Sequence, residues 1–191
     1  MFGTVQSNPL AAQCHMYYIP SSDSTNTYSI GDAVKSTNTS DSSNVWGTFG
    51  IPGVVKCTGA NSELARGVVV GMFRNPYALD YPYVPQTKAQ AYYVMVYDDP
   101  MGLFELQADS TAFNANWPGQ NAQYTVTAAQ SAPLNLSTTV LAGGTVGTTS
   151  TLPLKIVSVV QRPNVATSGS YMPLVVKFNS HELLAVGTTG V

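Results

Sequence analysis

Two carboxylates stand side by side at Asp98 and Asp99, just before Pro100, with Glu105 and Asp109 a few residues further on. Acids at this spacing are the raw material of a glycosidase pair or of an oxygen-ligand Ca²⁺ site. The same residues also make a good turn, because Asp hydrogen-bonds its own backbone and Pro fixes the turn dihedral. A strand–Asp-Asp-Pro–strand hairpin accounts for them without chemistry, and it is preferred over a hydrolase built on Asp99 and Glu105. His15 follows Cys14 directly, and neighbours in a strand point to opposite faces, so they form no local nucleophile–base pair. His181, within Asn-Ser-His-Glu-Leu, reads like His15 as a hydrogen-bonded structural residue. Cys14 and Cys57 allow one disulfide, but buried free thiols are common and are the preferred reading. The chain contains no C-x-x-C, no H-x-x-x-H, no phosphate-binding glycine loop and no G-x-S-x-G elbow. Neither catalytic residues nor a metal site nor a cofactor is expected, and the chain does not read as an enzyme.

The elements that would position these residues are strands. Short apolar runs flanked by Gly, Pro, Asn, Asp and Ser occur at 15–19, 33–36, 53–57, 65–73, 91–97, 103–107, 124–128, 154–160 and 173–178. The runs 65–73 and 91–97 are apolar on both faces, as in central strands covered on both sides. No window carries a helical period for three turns, although one helical turn is allowed at 110–116. The predicted fold is all-β, a compact barrel or sandwich of about seven to nine short strands. Residues 1–13 are expected to form an extended N-terminal arm, and 14–191 a single domain. Residues 142–151, rich in Gly and Thr, read as a flexible loop. Residues 75–87 carry three prolines and three tyrosines, so aromatic area is presented on a stiffened loop. Phe2, Val5, Pro9 and Leu10 of the arm and Tyr77, Tyr81 and Tyr83 of the loop are therefore the expected partner contacts.

Composition narrows the partners. Only 9% of residues are charged, with 8 basic and 10 acidic side chains and a net charge of −2. Phosphate neutralisation needs several cations on one face, so neither nucleic acid nor an anionic membrane is expected as a partner. The amino-terminal residues lack the basic start and apolar run of a signal peptide, and no apolar stretch is long enough to span a bilayer, so the chain reads as soluble. A surface of Ser, Thr, Asn and Gln suits an extracellular or virion protein. A carbohydrate-binding or adhesin module, using the tyrosines of 75–87 as a sugar platform, is the alternative.

At the Asp-Asp-Pro turn the sequence becomes familiar. The run YYVMVYDDPMGLFELQADS (92–110) resembles a strand, DDP, F-E-x-Q-x-D-S pattern of the capsid decoration, or head cement, proteins of tailed bacteriophages. TLPLKIVSVVQRPN (151–164) and LVVKFNSH (174–181) are similar to two later segments of that family, while YSIGDAVKST and RGVVVGMF match its upstream strands. The resemblance implies a homo-dimer or homo-trimer at a local symmetry axis, on the outer surface of an icosahedral head, where it binds the major capsid protein. Residues 44–49 and 75–87 depart from the family pattern. In structural terms, Asp98, Asp99 and Pro100 would form the hairpin. Arg162 would pair with Glu105 or Asp109 in a partly buried ion pair, and Asn179 and His181 would donate to strand ends.

Overall fold

The computed structural model describes residues 3–4, 14–42, 50–73, 83–126, 137–163 and 168–184. The fold is all-β, and no helix occurs among these residues. Eleven strands lie among the described residues: β1 (Gly3–Thr4), β2 (Cys14–Ile19), β3 (Ala33–Asp41), β4 (Ile51–Lys56), β5 (Gly67–Met72), β6 (Tyr92–Tyr97), β7 (Phe104–Gln107), β8 (Asn121–Thr125), β9 (Val140–Gly147), β10 (Leu154–Val159) and β11 (Pro173–Phe178). The strands beyond the expected number are β1, too short for any pattern, and β9.

Strands β2 to β6 close into a five-stranded barrel in the order β2-β4-β3-β5-β6. Closure leaves no free edge, and the one parallel contact, Tyr18 beside Gly53, joins β2 to β4. The interior is filled by Tyr17, Ile19, Val34, Val54, Val69, Val94 and Val96, from alternate positions on the five strands. Burying each such aliphatic side chain stabilises the barrel by roughly 1.5–3 kcal/mol. Strand β6, YYVMVY, is buried at almost every position because its second face does not meet water.

At Tyr97 that second face meets the other sheet, ordered β1-β7-β11-β10-β8-β9. Phe104, Leu106, Leu154, Ile156, Leu174, Val176 and Phe178 alternate onto its inner side. They pack against Ala33, Cys57, Ala65, Val68 and Tyr97 from the barrel. A single apolar cluster therefore bonds barrel to sheet. The sheet also curls back on itself, since Ala108 bridges to Leu141 of β9 in parallel.

Three expectations are corrected. The Asp-Asp-Pro segment is not a hairpin: β6 pairs with β2 and β5, whereas β7 pairs with β1 and β11. It is a turn that carries the chain from one sheet to the other, closed by the Gly102 N–H donating to the Asp99 carbonyl at 3.0 Å. Most of 142–151 is strand, not loop. Position 143 of β9 is glycine because a Cβ there would come within 2.6 Å of Thr111 and 2.7 Å of the Trp117 ring. Residues 110–116 form bends and a turn held by Asn114, not a helical turn.

Candidate functional site

The acids singled out by the sequence fall into separate environments. Asp98 directly follows β6, with a side chain only 2% exposed. Its carboxylate accepts from His15 Nδ1 at 2.8 Å and from the Tyr17 hydroxyl at 2.6 Å. His15 and Tyr17 lie two residues apart on β2, so both side chains reach the same end of the barrel. Arg66, just before β5, donates from Nε to the Tyr17 oxygen at 2.6 Å and stands 3.7 Å from Asp98. Its guanidinium also lies over the Tyr17 ring, 5.4 Å from the centroid. Burial, and then the bond to Asp98, push the Tyr17 phenol well above its ordinary range. Tyr17 therefore remains a donor. A buried carboxylate is tolerated only when paired and hydrogen-bonded, and this network supplies both.

The network extends to the segment after β11. Glu182 accepts from the Ser36 N–H at 2.7 Å and lies 3.9 Å from Arg66. His181, 1% exposed, bridges to Ala65 in parallel. Its Nδ1 accepts from the Leu183 N–H at 3.1 Å. Burial and the nearby Arg66 depress its pKa. Cys14, beside His15, is a free thiol, as is Cys57. Burial, with the Asp98 charge adding to it, raises the Cys14 pKa and favours the thiol form. Together these groups act as a clamp where β2, β5, β6 and the segment after β11 meet.

Asp99 accepts from the Met101 N–H at 2.8 Å, the local bond of an Asx turn. Glu105, on the outer face of β7, pairs with Arg162, which selects it over Asp109. Asp109 instead accepts from the Thr111 N–H at 2.9 Å. The Arg162 side chain is 54% exposed and that of Glu105 24%, so the pair is a surface one and not the partly buried tie expected from the sequence. Asn179 donates to the Leu152 and Leu154 carbonyls at 3.2 and 3.4 Å, capping the start of β10.

Phe2, Val5, Pro9, Leu10, Tyr77 and Tyr81 lie outside the described residues, as do 43–49. Tyr83 is half-buried next to Val84, which pairs with Tyr28 of the barrel. Sequence reasoning missed Lys88, whose ammonium is buried and donates to the carbonyls of Asp23, Asn26 and Gln86 at 2.5, 2.9 and 3.2 Å. It fastens the 20–28 loop to the end of the Pro/Tyr loop. The only signal in the sequence was that a charge is rare in this chain. Among the described residues no group of three or more His, Cys, Asp or Glu side chains is placed to hold a metal. Comparison with known proteins returns no match, whether to a family model, a curated protein or a solved structure.

Proposed function

We propose that the protein is a structural component of a virion, a decoration protein on the outer surface of an icosahedral phage head. In this reading it binds the major capsid protein as a homo-dimer or homo-trimer and stabilises contacts between neighbouring subunits. It acts through surface and needs neither catalytic groups nor a cofactor. One observation carries the reading. Three of the segments through which the chain resembles decoration proteins, far apart in sequence, supply β7, β11 and β10, which are adjacent in one sheet, while the remainder of the matched residues supply β3, β5 and β6 of the barrel. Arg162 of one segment also pairs with Glu105 of another.

The surface chemistry is compatible with this role. Contacts made from neutral polar side chains and main chain are individually weak, but many copies on a symmetric shell gain from avidity. In the test, purified protein is added to expanded heads that lack it. The expected result is saturable binding with increased resistance of the heads to heat or chelator. Heads that stay bare at saturating protein would overturn the proposal.

A further inference from the structure

The chain is frugal with charge, and most of what it has is spent internally. Seven of its Lys and Arg residues lie in described segments, and five of them stand within 4 Å of an acid: Lys35, Lys56, Arg66, Lys88 and Arg162. The remaining two are Lys155 and Lys177, and neither has an acidic partner among the described residues. They are not scattered. Lys155 on β10 and Lys177 on β11 are direct cross-strand partners in register. Each sits between core residues, Leu154 and Ile156 for one and Val176 and Phe178 for the other, so both point to the outer face of the sheet. Like charges directly opposite on one face repel, so the free protein carries a local cost here.

We infer that this outer face of β10 and β11 docks against acidic side chains of a partner protein, with Lys155 and Lys177 as the paired cations that receive them. The inference rests on the decoration-protein reading and deepens it: the acids belong to the outer surface of the capsid subunit. Two lysines match one or two carboxylates. They are too few for a nucleic-acid backbone, which demands many cations. Val157, exposed on β10, and Asn121, the other neighbour of Lys155, border the lysines with apolar and neutral polar groups. That composition suits a protein contact with a charged centre. Docking relieves the repulsion that the free sheet bears, so the two lysines oppose stability alone and favour the bound state.

The test uses the full chain, expanded heads lacking it, and the variant Lys155→Gln/Lys177→Gln. The variant is expected to melt at the same temperature as the native protein or higher, since a repulsion has been removed. It is also expected to bind heads about tenfold or more weakly, as for loss of a charged hydrogen bond. Its binding should depend less on salt than that of the native protein. Lys155→Arg/Lys177→Arg should keep most of the affinity. Native-like affinity and salt dependence in the Gln variant would overturn the inference and leave the decoration reading standing. A change in self-association with unaltered head binding would overturn it too, because the acids would then belong to a second copy. If the native protein itself leaves the heads bare, the inference and the reading fall together.

Discussion

Asp98 and Arg162 both belong to ion pairs, yet physical chemistry assigns them very different weights. Asp98 is buried with His15, Tyr17 and Arg66 arranged around it. Replacing its charge weakens the partner of the buried Tyr17 hydroxyl and of a half-buried guanidinium, and Asp98→Asn is expected to cost about 3–5 kcal/mol. Arg162 is largely in water, so Arg162→Ala is expected to cost no more than about 1 kcal/mol. Urea denaturation of the two variants measures both, and equal costs would contradict the contrast drawn between them. His181 sets a separate expectation for pH. Its folded-state pKa is depressed by burial and Arg66, so the unfolded chain takes up the proton first. Stability is therefore undiminished above about pH 6.5 and falls as pH drops below that value. Asp23 and Glu63 are desolvated, which pushes their pKa values up, but hydrogen bonds and nearby lysines outweigh this and hold both below the carboxylate norm. They add a further loss below about pH 4. His181→Phe should flatten the first step and leave the second, as read from denaturation midpoints across pH.

At the scale of elements, apolar alternation located the strands that have it, and it failed where tertiary contact chose the residue. At Leu154 and Ile156 of β10 and at Leu174, Val176 and Phe178 of β11 alternate side chains are apolar and buried because one face meets the core. In β9 the pattern is blurred by glycine, and Gly143 is required by Trp117 and Thr111, which lie far from it in sequence. Gly143→Val is expected to push that contact apart and destabilise the sheet by about 1–3 kcal/mol. Amide exchange should accelerate first in 140–147, and protection unchanged there would contradict the packing described. The Asp-Asp-Pro turn was legible as a turn but not as a crossover. Its local hydrogen bonds are those of any Asx turn, and the choice of pairing partner for β7 is made by β11, some seventy residues away. The burial of Asp98 was hidden for the same reason, since its partners arrive from β2 and from the approach to β5.

For the molecule as a whole, the chain is laid out in order. The barrel takes residues 14–97 and the sheet takes 104–178 with β1 added at its edge. Such an arrangement invites two independent units, yet one cluster draws on both. Without the sheet, Cys57, Val68 and Tyr97 would face water. The prediction is a single cooperative transition. The slowest-exchanging amides of β5 and β6 and those of β10 and β11 should share one opening free energy, and two well-separated values would refute the shared core.

The bridge from His181 and Glu182 to Ala65 and Ser36 bears on how the molecule is made. During synthesis the barrel strands leave the ribosome first, and the residues that latch them follow only after β11. A nascent barrel must therefore wait, with its flank uncovered, for more than eighty residues of later chain. Until that latch arrives, the growing polypeptide is most exposed to misassociation with its neighbours on the same message.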